Sequence, residues 1–312
     1  MAQLSQPVEP FGEVNVYPQP DGSLDIVATV LMVPDIEGAR TGLALDASAS
    51  MKSMYGVSSV LGGAFAKAAA TPNVVEPVAR MMAAYLSQFS STGTCDIIYW
   101  AVSPAGDAVE PLKAVNAADA ETVAIVGPKK FPWGRGTKLL PAVKHFVDVE
   151  FRAAPWAICV FVTDGVLEDL AAVKAYCLTF AKEIASGRRK FIKLVLIGVG
   201  EQVDVAQMEE LDDMFEGSGL KMPNGDDIDL WDHKLAREMR QLHEVFAEVV
   251  SEKIIIADRG RILDSAGRVA VEFPDGVPAL LRFSLPRGST SFTLELPDHR
   301  VIQDLRAGLA RV

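Results

Sequence analysis

Three short segments of this chain carry hydroxyl and carboxylate oxygens at spacings that suit a hard divalent cation. The first is Asp46-Ala47-Ser48-Ala49-Ser50, the second Gly134-Arg135-Gly136-Thr137, and the third Thr163-Asp164-Gly165. In an extended backbone alternate side chains point the same way, so Asp46, Ser48 and Ser50 bring three oxygens to one side within five residues. Carboxylate and hydroxyl donors suit Mg2+, Mn2+ or Ca2+, whereas zinc would favour histidine and cysteine. Two carboxylates roughly balance a divalent charge and leave coordination positions open. An Asp or Glu from another molecule suits such an opening electrostatically. Gly134 and Gly136 let the Thr137 loop come close to an ion.

These segments need a scaffold that brings them together, and the chain spells one out. Near-continuous apolar runs over 41–46 (TGLALD), 95–102 (CDIIYWAV), 157–164 (AICVFVTD) and 193–200 (KLVLIGVG) read as parallel strands covered on both faces. PAGDAVEPL adds a turn and a short edge strand. Between them, apolar residues at three- and four-residue spacing predict helices over 78–89, over LPAVKHFVDV after Thr137, and around 171–185. A long helix is expected along Leu235, Met239, Leu242, Phe246, Val249 and Val250, starting near Leu230 and ending near Glu252. In a parallel α/β sheet the loops leaving strand C-termini share one edge, where ligands bind. The first and third segments therefore meet on that edge, and the second reaches it as a loop on the same face.

The order D-x-S-x-S, then G-x-G-T, then T-D-G after an apolar strand resembles the metal-ion-dependent adhesion site of von Willebrand factor type A (vWA) domains. The resemblance covers about 39–251. It implies a Rossmann-like fold in which Ser48, Ser50 and Thr137 are direct metal ligands, while Asp46 and Asp164 act mainly through water. All five positions are intact. Arg135 departs from the commoner all-glycine form of that loop and is placed to guard the site or to contact an acidic partner.

The flanks have a different character. EVNVYPQPDGSLDIVATVLMV reads as two strands joined by a Pro-Asp-Gly turn, and from Lys253 onward short strand candidates (KIIIA, RVAVEF, ALLRFSL, SFTLEL) alternate with DRG, SAG, PDG and PRG turns. Neither flank has enough apolar surface to stand alone. The expected architecture is thus a β-sandwich of residues 1–38 with 253–312, into which a vWA domain of residues 39–252 is inserted. Residues 52–73, rich in glycine and small side chains, form an insertion after the first strand's loop, read as an extra rim helix or a specificity element.

Hydrophobic residues make up 49% and charged residues 23% of the chain, enough to bury a full core. The net charge of -11 repels phosphate backbones, which argues against broad nucleic-acid binding. The first residues contain no basic start and no apolar core of a signal peptide, and no apolar run has the length of a membrane span. Three widely spaced cysteines, Cys95, Cys159 and Cys177, read as buried free thiols in a reducing compartment, and the expected address is the cytoplasm. The four histidines fall in no metal-ligand pattern, and no phosphate-binding loop or nucleophile elbow is present. The acidic cluster Asp226, Asp227, Asp229 and Asp232 reads as the start of the helix near Leu230, where carboxylates meet the amide end of the dipole. Trp231 would anchor that helix to the sheet.

The function expected is a metal-dependent protein-interaction module with no catalytic residues. Two alternatives stand beside it, a structural subunit of an assembly or filament with the metal incidental, and a metal-assisted hydrolase. The hydrolase is disfavoured because Ser48 occupies the place where an aspartate-nucleophile phosphotransferase has a second acid. The expected partner is a protein supplying an Asp or Glu to the metal. The general resemblance to intracellular bacterial vWA proteins of tellurium-resistance and stress gene clusters, or to partners of MoxR-type AAA+ ATPases, implies an AAA+ ATPase or other complex subunit in that role.

Overall fold

The computed structural model describes residues 2–4, 7–30, 38–57, 72–200, 202–225, 227–236 and 255–306. The chain divides into two compact units, Met1–Glu37 with Glu248–Val312, and Gly38–Ala247.

The first unit is built of β-strands over nearly all of its described part. It opens with β1 (Ala2–Gln3), β2 (Phe11–Pro18) and β3 (Leu24–Val30). The Pro-Asp-Gly segment closes the β2–β3 hairpin, with Gly22 at φ 86°, a conformation that costs glycine nothing. The second unit follows with β4 (Arg40–Asp46), α1 (Val75–Ser87), β5 (Cys95–Val102), β6 (Ala108–Val115), α2 (Ala117–Ala120) and α3 (Leu140–Lys144). The last of these runs on into a wider π-type turn, His145–Glu150. The unit continues with β7 (Trp156–Thr163), α4 (Leu170–Ala185), β8 (Phe191–Val199), α5 (Val205–Asp212) and β9 (Trp231–Ala236). The chain then returns to the first unit through β10 (Ile255–Ala257), β11 (Gly260–Asp264), β12 (Val269–Phe273), β13 (Val277–Pro278), β14 (Leu280–Leu285), β15 (Ser291–Glu295) and β16 (Arg300–Asp304).

In the first unit both chain ends share one sheet, because β14 pairs antiparallel with β3 in the order β1-β2-β3-β14. A second sheet has the order β12-β11-β15-β16. Phe292 of β15 lies edge-on to Phe11 of β2 and Phe283 of β14, at centroid distances of 5.3 and 5.0 Å, so aromatic packing joins the two sheets.

The second unit is a Rossmann-like α/β fold. Its six-stranded sheet has the order β6-β5-β4-β7-β8-β9, with only β6 antiparallel. β4, β7 and β8 are buried along almost their whole length, which is why their sequences are apolar without alternation. α1 buries Val75, Val78, Ala79, Met82, Ala83 and Leu86, a stripe at helical spacing. Gly42 in β4 makes room for Phe146, since a Cβ there would lie 2.6 Å from the ring. The strand order reverses between β4 and β7, and crevices form at such reversals outside the strands' carboxyl ends. Among the described residues no helix is long and apolar enough to cross a membrane. Cys95, Cys159 and Cys177 are free and buried.

The helix expected to start near Leu230 is not there. Trp231–Ala236 is instead the edge strand β9, parallel to β8 with Leu194 opposite Trp231. Trp231 is fully buried against Phe161 and donates its indole N–H to Cys177 Sγ at 3.3 Å, so it anchors a strand rather than a helix. The apolar spacing that suggested a helix includes Leu235, which is 43% exposed. Its remaining positions, Met239 to Val250, lie outside the described residues, as does most of the 52–73 insertion.

Candidate metal centre

β4 and β7 are neighbours in register, with Leu45 opposite Val162, so Asp46 and Thr163 leave the sheet side by side at its strand-order reversal. Thr163 Oγ1 donates to Asp46 Oδ2 at 2.6 Å, and the Ser48 amide donates to Asp46 Oδ1 at 2.7 Å. The second bond folds the chain back over its own carboxylate, as Asp side chains do in turns. The chain then enters a short 3-10 turn, Ser50–Ser53. Ser48 Oγ and Ser50 Oγ lie 3.0 Å apart, and Ser50 Oγ donates to Asp164 Oδ1 at 2.8 Å. Asp46, Ser48, Ser50 and Asp164 thus form one connected set of oxygens across two loops.

The third loop is docked by backbone. The Gly134 amide donates to the Ala47 carbonyl at 3.2 Å, and the Ala49 amide donates to the Gly134 carbonyl at 2.7 Å. These bonds pair Gly134 in parallel with Ser48. The approach tolerates no side chain, because a Cβ on Gly134 would lie 2.0 Å from the Ala101 carbonyl oxygen. Thr137 is buried, and its Oγ1 would be 3.4 Å from a Cβ on Gly165, which puts the hydroxyl beside the Asp164–Gly165 turn. Asp169 accepts from the Leu139 and Leu140 amides at 2.8 and 3.0 Å, and the Glu168 amide donates to the Thr137 carbonyl at 3.0 Å. The segment after Asp164 therefore holds the start of α3 and Thr137 with it.

Asp46 is wholly buried and Asp164 is 6% exposed. Burial raises the Asp46 carboxyl to about 7, against the bonds from Thr163 and Ser48 that favour its ionised form, and the Asp164 charge adds to the rise. Burial also raises Asp164 above the usual carboxylate range. Among the described residues no lysine or arginine charge acts on either. An all-oxygen set with two buried, uncompensated carboxylates fits a hard divalent cation.

Two residues at this site carry no mark in the sequence. Tyr55, buried under the loop, donates its hydroxyl to the Asp46 carbonyl at 3.0 Å and lies edge-on to Trp133 and Tyr99. Asp169 caps a helix far from it in sequence, and only its place after an apolar strand and turn hinted at capping. Thr163 stood in the T-D-G segment, but its hydroxyl turns back onto Asp46.

The acidic cluster has another role than the helix start expected of it. Asp229 and Asp232 flank the buried Lys193 ammonium at 2.9 and 3.1 Å, and that ammonium also donates to the Asp229 and Trp231 carbonyls at 3.0 and 3.2 Å. Asp212, Asp229 and Asp232 bring carboxylate oxygens within 4.8 Å of one another, a spacing open to a metal ion. The cation already beside two of them is Lys193. Asp226 lies outside the described residues.

No family model and no curated protein matches the chain. Solved structures that align with it include a von Willebrand factor type A protein from Catenulispora acidiphila, at 12% identity and TM-score 0.43 over 96% of this chain and 73% of that one. The pilus adhesin SpaC from Lactobacillus rhamnosus GG aligns at 10% identity and TM-score 0.46, over 94% of this chain and 46% of its own. The proximal thread matrix protein 1 from the mussel byssus, described with a zinc-occupied MIDAS motif, aligns at 12% and 0.40, over 72% and 47%. This chain spans about half the length of the last two. At these scores what those proteins hold or bind stays theirs.

Proposed function

We propose that the chain is a vWA-like interaction module in which Asp46, Ser48, Ser50, Thr137 and Asp164 hold one divalent cation, Mg2+ by preference, and present it to an acidic group of a protein partner. The observation that supports this reading is the pair of buried carboxylates without a basic neighbour, set among hydroxyls at the strand-order reversal. The cation would supply the positive charge that an Asp or Glu from outside needs in order to bind. The chain's own residues hold the loops, orient the Asp46 carboxylate and fix the hydroxyl directions. Binding, rather than catalysis, is the role proposed. Cytoplasmic bacterial partners of the MoxR-type AAA+ ATPase or tellurium-resistance class, to which the sequence bears a general resemblance, are the first to try.

Titration calorimetry with MgCl2 tests the site. Wild type is expected to bind one equivalent, and Asp46→Ala and Thr137→Ala none, with the far-UV spectrum retained. Capture from a lysate of the native host, with Mg2+ against EDTA, tests the partner. A partner whose binding ignores both the chelator and these substitutions sinks the reading. The β-sheets built from both chain ends favour, as a second reading, a structural subunit with the ion incidental. Elution on size exclusion that is identical with and without Mg2+, together with self-assembly, would support it.

A further inference from the structure

The Thr137 loop enters the site along a stretch, 123–131, that has no strand ladder and is held by side chains instead. Arg80 donates to the Val123 carbonyl at 2.7 Å, Glu76 accepts from the Ile125 amide at 2.8 Å, and Asn73 donates to the Ile125 carbonyl at 2.8 Å. The densest tether comes next. Glu110, in the edge strand β6 and 5% exposed, accepts from three successive amides, Lys129, Lys130 and Phe131, at 2.8, 2.9 and 3.0 Å. Tyr99, its cross-strand partner in β5, accepts from the Gly127 amide at 3.2 Å. Paired residues share one face of a sheet, so this single pair gathers four amides of the incoming chain.

Two residues past this tether the chain reaches Trp133, which bridges to Val102 and packs edge-on against Tyr55 at 5.1 Å. Tyr55 holds the Asp46 carbonyl, and Gly134 pairs with Ser48. Displacement at 129–131 therefore travels to both the Thr137 loop and the Asp46 loop. A buried carboxylate accepting three N–H donors is a strong, directional anchor.

We propose that Glu110 is a positioning residue for the metal centre, fixing the Thr137 loop tightly enough to favour Mg2+ over Ca2+. It rests on the cation reading above. Mg2+ demands near-octahedral geometry and Ca2+ accepts irregular, larger shells, so loosening the loop costs Mg2+ more. The test is titration calorimetry of the full chain with MgCl2 and with CaCl2. Glu110→Gln keeps the shape but sets an NH2 group against the amides. It is expected to lower Mg2+ affinity by about tenfold, the low end for losing an outer partner of a metal site, and Ca2+ affinity by less. Glu110→Asp, still a carboxylate acceptor, is expected to recover part of the preference. Asp264→Asn removes a similar carboxylate–amide cluster from the other unit, where Asp264 accepts from the Ala266 and Arg268 amides at 2.8 and 2.9 Å. It should lower Tm and leave both affinities alone. If wild type binds neither cation, the proposed function fails. If it binds both and Glu110→Gln leaves their ratio unchanged, the role of Glu110 fails alone. Hydrogen exchange on wild type gives a check that needs no variant. The amides of 129–131 should slow further in Mg2+, and unchanged rates there would overturn the coupling.

Discussion

Replacing Asp46 with Asn should stabilise the metal-free protein at alkaline pH while abolishing its response to Mg2+. Asp46 is wholly buried, and its carboxyl is raised from 3.8 to about 7, chiefly by that burial. Between these values the folded state keeps a proton that the unfolded state has lost, so stability falls as pH rises through the window. At about 1.4 kcal/mol per pH unit, the loss is complete above about pH 7 and reaches about 4 kcal/mol. Asn at this position still accepts from the Ser48 amide, and the Thr163 hydroxyl can turn to accept from the new NH2 group. It carries no charge to desolvate. Urea denaturation in EDTA at about pH 4.5, 6 and 8 reads the effect. Wild type should lose stability across the series, with Asp164 adding in the same direction, and Asp46→Asn should lose much less. Saturating Mg2+ at about pH 8 should raise wild type by about 3 kcal/mol at a hundredfold excess over Kd and leave the variant unmoved. A variant less stable than wild type at pH 8 in EDTA would refute the reasoning, because burial would then not be what perturbs Asp46.

Other perturbations separate the site from its surroundings. Gly134→Ala puts a methyl 2.0 Å from the Ala101 carbonyl, where backbone must move; we expect a loss of about 1–3 kcal/mol by thermal melting and no calorimetric Mg2+ binding. Lys193→Met leaves Asp229 and Asp232 without their ammonium. Asp229 is half-exposed and screened by water, so the cost should be about 2 kcal/mol, below that of breaking a fully buried pair, with Mg2+ affinity at the Asp46 site unchanged. Mg2+ uptake at about pH 6 should release close to one proton, because Asp46 is then largely protonated, and release should fade above pH 8. Heats of binding that do not vary among buffers of different ionisation enthalpy at pH 6 would count against it.

The parallel strands were legible because burial on both faces leaves unbroken apolar runs, as at 95–102 and 193–200. β9 was not. Its polar residues Asp232, His233 and Lys234 break the run, and its last residues merge into a downstream pattern of helical period. β11 and β16 were missed for a related reason, since in GRILD and RVIQD only two adjacent apolar residues stand between polar ones, too few for alternation to signal a strand. At the candidate site, Asp46, Ser48 and Ser50 were readable because their spacing is local. Glu110, Tyr55 and Asp169 act on backbone groups distant in sequence, and no local pattern encodes that. The helix reading of the acidic cluster failed because Asp229 and Asp232 answer Lys193, a residue on the neighbouring strand.

How this unit treats its other buried charges bears on what the centre is for. Lys193 is met by two carboxylates and two carbonyls. Arg40, only half-buried, is paired with Asp96 at 2.7 Å and lies over the Phe151 ring. Glu110 is spread over three amides. A fold that compensates these charges has no structural reason to leave two carboxylates with hydroxyls, a backbone amide and one another but no cation, since apolar residues of similar size would be as stable there. The exception lies where strand order reverses, on the edge that α/β sheets use for ligands, and beside it Gly134 is too crowded by backbone to accept a side chain. Local cost of this kind is what the proposed cation site predicts, and a positive charge supplied from outside would offset it.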